Sequence, residues 1–204
     1  MNIYLTMTGT TALLCSTQRG ADPTDTDVQK LALLTRIPGP KKTVDNHAEI
    51  ARLQFSINLP YDEPLKRVVL PCINVWNGIR DAARKERKGK LIEQYVKTIE
   101  DTVPLIYEGP KTKEDLLADK RFYDTRLVNH GPPGKPKMVL CTRPIFRIWA
   151  AEMGFWLEED QVNPEDFKRW AIQLGQYLGI GGFRLRYGRF DCEFREVKSE
   201  LLAA

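Results

Sequence analysis

From position 2 to position 8 apolar and polar residues alternate, with Ile3, Leu5 and Met7 on one side and Tyr4, Thr6 and Thr8 on the other. A period of two predicts a half-buried first strand, which Gly9 ends. The apolar run T-T-A-L-L-C follows at 10–15, and 16–22 reads as loop. Val28, Leu31 and Leu34 then recur at helical spacing behind Asp25 and Asp27, so 24–35 predicts a helix, stopped by P-G-P at 38–40. A second short helix is predicted over 43–55, on a stripe of Val44, Ala48, Ala51 and Phe55. Segments 57–60 and 65–70 predict a hairpin around Y-D-E-P.

After Pro71, Ile73, Trp76, Ile79 and Ala83 line the apolar face of a predicted helix, which Arg80, Arg84, Lys85, Arg87 and Lys88 charge. Segment 102–107 predicts a short strand, and Pro104, lacking an N–H, puts it at an edge or a strand start. A helix of one to two turns follows at 111–119. Segments 122–128 and 138–142 predict a hairpin arm whose Pro- and Gly-rich tip carries Lys135 and Lys137. The later part of 145–158 alternates as a strand. Asn163 then caps a helix with Pro164 at its first position, and Phe167, Trp170, Ala171, Leu174, Tyr177 and Leu178 form its 3.6-residue stripe. Strand-like residues follow from 189 to 197.

This order predicts an α+β fold with a ferredoxin-like (RRM-like) βαββαβ core. It would be a single domain over 1–204, with a helical insertion at about 16–70 and the hairpin arm within about 109–144. One face of such a four-stranded sheet is left for ligands or inserted lobes.

Composition narrows the function only a little. The 204 residues carry a formal net charge of +4, too mild to imply a nucleic-acid binder without a local concentration of charge. Cys15, Cys72, Cys141 and Cys192 are far apart, and neither His47 nor His130 stands at zinc-ligand spacing from them, so buried free thiols and no metal or other cofactor are expected. The first residues show no signal-peptide pattern, and no stretch approaches the roughly 20 apolar residues of a membrane span. A soluble, cytoplasmic protein with no membrane partner is expected. No P-loop, G-x-S-x-G, H-E-x-x-H or EF-hand pattern is present, which removes support for NTPase and common hydrolase readings.

Charge does concentrate in two stretches. Between Arg80 and Lys97 stand seven basic and three acidic residues, a pattern of either a solvated helix face or one that meets phosphates. The second is G-I-G-G-F-R-L-R-Y-G-R-F at 179–190. Glycine lets backbone N–H groups approach a phosphate, arginine supplies a planar cationic fork, and Phe183, Tyr187 and Phe190 offer faces to bases. The candidate binding residues are therefore Gly181, Gly182, Arg184, Arg186 and Arg189 in the loop, Arg80 and Arg84 on the helix, and Lys135 and Lys137 on the arm.

Three stretches in order carry a resemblance: L-T-M-T-G-T-T-A-L-L at 5–14, L-P-C-I-N-V-W-N-G-I-R-D-A-A-R at 70–84, and the glycine-rich stretch at 179–190. Together they resemble the RAMP superfamily, the RNA-binding subunits of CRISPR effector complexes, and in particular the repeating backbone subunits and the backbone-like proteins of phages and mobile elements. The resemblance implies a non-catalytic protein that binds single-stranded RNA (or single-stranded DNA). It also implies assembly as a homo-oligomer or filament along the strand, or with related effector subunits. The chain is short for a backbone subunit, and its helices at 24–56 have no counterpart in that pattern. Two other readings stay open. One is a RAMP-type RNA endonuclease, although His47 and His130 lie outside the region where a processing histidine belongs and Asp22, Asp25 and Asp27 fit helix capping. The other is a phage-borne interaction module that mimics or caps an effector backbone.

Overall fold

The computed structural model describes residues 1–129, 138–184 and 186–197. Among them the chain forms, in order, β1 (Asn2–Gly9), β2 (Leu13–Leu14), α1 (Thr26–Arg36), α2 (Val44–Asn58), β3 (Tyr61–Asp62), β4 (Arg67–Pro71), α3 (Cys72–Arg84) and α4 (Gly89–Tyr95). Then come β5 (Val96–Thr98), β6 (Thr102–Pro104), α5 (Lys113–Ala118), β7 (Tyr123–Asn129), β8 (Met138–Phe146), β9 (Ala150–Leu157), α6 (Pro164–Gln173) and β10 (Phe190–Val197). The chain divides into two compact units, one of Met1–Leu13, Arg67–Gly109 and the chain from Phe146 on, the other of Leu14–Lys66 and Pro110–Ile145. The α+β class expected from the pattern is what forms.

The first unit is built on a four-stranded sheet in the order β10-β1-β9-β5, every neighbouring pair antiparallel. Along the chain β1, α3, β5, β9, α6 and β10 run strand, helix, strand, strand, helix, strand. The alternation in β1 does what a period of two requires: Ile3, Leu5 and Met7 are wholly buried, as are Ala151, Phe155 and Leu157 of β9. Phe155 meets Phe167 of α6 edge-on at 5.0 Å. The helix α6 starts where its sequence says it should, the Asn163 side chain accepting from the Glu165 N–H at 2.9 Å with Pro164 first in the helix.

Three elements of this unit differ from the pattern reading. The edge strand β5 lies in a stretch that reads as the end of a basic helix, and the expected strand at 102–107 shortens to β6, which pairs with β4 instead. Three residues are too few for a periodicity to register, and Val96 and Thr98 are β-branched residues whose preference appears only once β9 lies beside them. The buried arc of α3 is also rotated. It consists of Cys72, Val75, Gly78, Ile79, Ala82 and Ala83, whereas Ile73 is 53% exposed and the Trp76 indole N–H reaches out to the Val96 carbonyl at 2.9 Å. Val75 and Ile79 face the core together with the small residues Gly78, Ala82 and Ala83, and Gly78 admits the close approach of Leu174, whose Cδ1 would stand 2.5 Å from a Cβ there.

The second unit pairs α1 with α2 and carries the antiparallel pair of β7 and β8, in register from Tyr123↔Pro144 to Asn129↔Met138. Residues 57 and 58, expected in a hairpin strand, belong to the last turn of α2. Phe55 stacks on Tyr123 at 4.2 Å. The start of α1 is held by Asp25, which accepts from the N–H groups of Asp27 and Val28 and from the Arg19 guanidinium. Arg19 also binds Asp27 at 3.1 Å and the Ser56 carbonyl at 3.1 Å.

The Arg19 hydrogen bond, helped by the two backbone N–H groups, holds the Asp25 carboxyl below its usual range. A depressed carboxylate contributes stability above the unfolded value, about 3.9, and that contribution is lost as pH falls through the folded value. Asp25→Asn is therefore expected to be less stable than the parent at pH 7, with the gap between their urea midpoints closing below about pH 4.

All four cysteines are free, and burial pushes the thiols of Cys15, Cys72 and Cys192 up to about 12. Protonated thiols are poor nucleophiles. Iodoacetamide at neutral pH should leave these three unlabelled in the folded protein and modify them after denaturation, as read by mass spectrometry. Among the described residues no helix is long and apolar enough to cross a membrane.

Candidate nucleic-acid interface

The last turn of α6 widens into a π-helical segment, Leu174–Leu178, and the chain then enters the glycine-rich loop. Four residues there take positive φ: Gly179 at 70°, Gly181 at 77°, Phe183 at 55° and Gly188 at 70°. The loop closes on itself through the Ile180 N–H to the Gly188 carbonyl at 3.0 Å. It also closes on the turn after β1. The Gly188 N–H donates to Ala12 O at 2.8 Å, Thr10 and Thr11 N–H donate to Arg189 O at 2.9 and 3.2 Å, and the Arg189 N–H donates to Thr11 Oγ1 at 2.9 Å. Trp149 fixes the turn from below, its indole N–H on Thr11 O at 2.8 Å. The first and third of the motifs singled out in the sequence are thus one hydrogen-bonded structure.

This closure explains two of the glycines. A Cβ on Gly188 would stand 2.0 Å from the Ile180 carbonyl oxygen, and one on Gly179 would stand 2.4 Å from the Tyr187 carbonyl oxygen. Neither neighbour is a side chain that can rotate away. Gly182 is buried and Gly181 half-buried.

The loop brings Arg184 to α3. Arg184 is half exposed, and its Nη1 lies 3.6 Å from Asp81 Oδ2. Arg80 and Arg84 reach the same carboxylate, at 3.3 and 3.4 Å, and both also face Glu93, at 3.8 and 2.9 Å. Three of the arginines picked from the sequence, a hundred positions apart, therefore gather around Asp81. They are not equivalent. Arg84 is 54% exposed, whereas Arg80 is 22% exposed, lies over the Trp76 ring at 5.4 Å, and has a buried Nε without a hydrogen-bond partner among the described residues. Arg186 is exposed, its guanidinium 5.8 Å from the Tyr187 ring. Arg189 is half-buried, its Nε buried and without a hydrogen-bond partner among the described residues, and its backbone latches the loop to Thr10 and Thr11. Lys135, Lys137 and His130 lie outside the described residues.

In the sequence Asp81 and Glu93 only dilute a basic run, yet one turn of helix sets Asp81 against Arg84. The rest of that run is likewise divided. Lys88 binds Asp166 at 3.0 Å and Glu86 binds Arg169 at 2.7 Å, while Lys85, Arg87 and Lys90 are exposed and have no ion-pair partner among the described residues. The acidic cluster near α1 has structural employment: Asp25 and Asp27 hold Arg19, and Asp22 accepts from Thr24 at 2.7 Å. His47 is exposed on α2. Among the described residues no group of three or more His, Cys, Asp or Glu side chains is arranged to hold a metal ion.

No known family model matches this chain, and no curated protein matches it in sequence. Chains of solved structures do match in fold. One is a chain in the cryo-EM structure of the Type III-B Cmr-beta bound to cognate target RNA, with a TM-score of 0.54 and 13% sequence identity. The match covers 97% of this chain and 60% of that one, so this chain spans about three fifths of its length. At that identity the likeness is one of fold.

Proposed function

We propose that this protein is a non-catalytic single-stranded nucleic-acid-binding protein, for RNA before DNA, on a ferredoxin-like core of the RAMP type. The observation that carries the reading is the gathering of Arg184 from the glycine-rich loop with Arg80 and Arg84 from α3 around Asp81. Guanidinium forks suit phosphate as well as carboxylate, and an RNA backbone entering here would take over the positions Asp81 and Glu93 now occupy. Arg186 extends the cationic surface, and Arg80, held over Trp76, supports it from below. The likeness in fold to a chain from an RNA-bound Cmr-beta structure favours RNA, and related effector subunits or further copies of this chain, as partners. The strand order β10-β1-β9-β5 with its two intervening helices favours the ferredoxin-like core.

Anisotropy of a labelled single-stranded RNA tests this. Each neutralised phosphate contributes a slope of about −0.7 in log affinity against log salt. Two to four contacts therefore weaken binding roughly 7- to 50-fold between about 50 and 200 mM salt. Absence of binding, or binding indifferent to salt, would sink the proposal. A sharper check removes the competitor: Asp81→Asn frees Arg184, leaves Arg80 and Arg84 with Glu93 alone, and should tighten RNA binding about fivefold, the scale of a surface ion pair, with the melting temperature nearly constant. Weaker binding by that variant would mean that Asp81 orients the arginines and does not compete with phosphate.

A further inference from the structure

The side of the four-stranded sheet opposite the core carries a second, unassigned surface. The alternation that buries Ile3, Leu5 and Met7 turns Tyr4 outward on β1, and that of β9 turns out Glu152, Gly154 and Trp156. Register sets Tyr4 beside Gly154 on one side and Arg195 on the other, and sets Trp156 beside Lys97. Tyr4 and Trp156 are thus diagonal neighbours on the two central strands. Each carries a cation: Arg195 lies 4.3 Å from the Tyr4 ring centroid and Lys97 lies 5.7 Å from that of Trp156. Between them Gly154 is buried, and its neighbours take the place of a side chain: a Cβ there would stand 2.7 Å from Ile99 Cδ1 and 3.1 Å from Tyr4 Cε1, so Ile99, itself 43% exposed, packs over the glycine beside the Tyr4 ring.

Two half-buried aromatic rings, one aliphatic wall and two exposed cations make a poor seat for an apolar helix, which needs a continuous apolar groove. They make a good one for unpaired bases, which stack on any aromatic face while nearby cations meet the phosphates. The acids of this face, Glu152, Glu193 and Asp191, stand beside Thr6 and Thr8, towards the far end of β1. Glu152 reaches Arg195 at 3.1 Å, and the nearby Glu100 carboxylate accepts from the Gly154 N–H at 3.1 Å. The two cations of this face, Arg195 and Lys97, stand at the Tyr4 and Trp156 end, where a single strand would meet them.

We propose that this face is a stacking platform for unpaired bases of the bound single strand, one base on Tyr4 and one on Trp156, with Arg195 and Lys97 on the flanking phosphates. The inference rests on the single-strand-binding reading above and deepens it by adding a contact that reads bases and not only backbone. Tyr4→Leu with Trp156→Leu keeps apolar bulk and removes both π-faces. The pair should weaken binding of oligouridine RNA and of oligothymidine DNA at least about tenfold, as expected for lost base stacking. The slope of affinity against salt should stay unchanged, because no phosphate contact is removed. In the unaltered protein, 4-thiouridine RNA should crosslink to the peptides holding Tyr4 or Trp156, a result independent of any variant's stability.

Parental affinity in the double variant, together with crosslinks that avoid both peptides, would overturn the platform and leave the arginine cluster standing. If the double variant instead changes oligomeric size at constant affinity, the face meets a second copy of the chain, and the proposal is wrong. No binding by the parent protein would remove both readings. Weakening for RNA and not for DNA would support the platform and assign it to RNA.

Discussion

Gly188→Ala should destabilise the protein by about 3 kcal/mol or more and take RNA binding with it. A left-handed backbone costs an ordinary residue roughly 1–2 kcal/mol, and Gly188 has φ of 70°. The larger part is steric: the new Cβ would stand 2.0 Å from Ile180 O, 2.8 Å from Ile180 C and 2.9 Å from Ile180 N, all main chain. Relief requires the loop to open, which breaks the Ile180–Gly188 bond and the Gly188 tie to Ala12, and so releases Arg184 from α3. Urea denaturation measures the loss. Gly39→Ala is the control, since nothing lies within 4 Å of a Cβ there, and its change should stay within about 0.5 kcal/mol. A Gly188→Ala protein as stable as the Gly39→Ala control would mean that the loop is not closed in this way.

The second large effect is on binding alone. Changing Arg184 and Arg186 together to alanine should weaken single-stranded RNA binding roughly 30-fold, about 2 kcal/mol for two charge-assisted contacts partly offset by the pairing with Asp81. The salt slope should become shallower by about 1.4, two phosphates at 0.7 each. Stability should hardly move, because Arg184 is half exposed and only 3.6 Å from its acid, a pair of the kind that contributes about 0–1 kcal/mol. Arg80→Ala should behave differently, losing stability as well, since its side chain is 22% exposed and packs over Trp76. If the Arg184 and Arg186 change lowers the melting temperature as much as it lowers affinity, those arginines hold the loop and do not hold RNA.

The two predictions separate the parts of one motif. The glycines at 179 and 188 serve the chain's own closure, while the arginines between them face outward. Composition alone does not make that distinction, because a glycine that approaches a phosphate and a glycine that approaches a carbonyl look alike in sequence.

Long, strongly periodic segments were legible from the start. The strand at β1, the capped helix α6 and the α+β class follow from local rules: alternation shows which side is buried, and Asn163 with Pro164 marks where a helix begins. The outward position of Tyr4 was present in that same alternation. What the local rules do not contain is partnership. The strand β5 is three residues long and exists because β9 runs beside it, and α3 buries Gly78 where Leu174 approaches it. The meeting of Arg184 with Asp81, the tie between Ala12 and Gly188, and the pairing of Tyr4 with Gly154 each join residues that are distant in the chain. The class of fold and the residue types of the two basic stretches can be read from the chain alone. Which of them stand together is settled in three dimensions, because hydrogen bonds and charge pairs act over a few ångströms of space and periodicity reports only the nearest turns of chain.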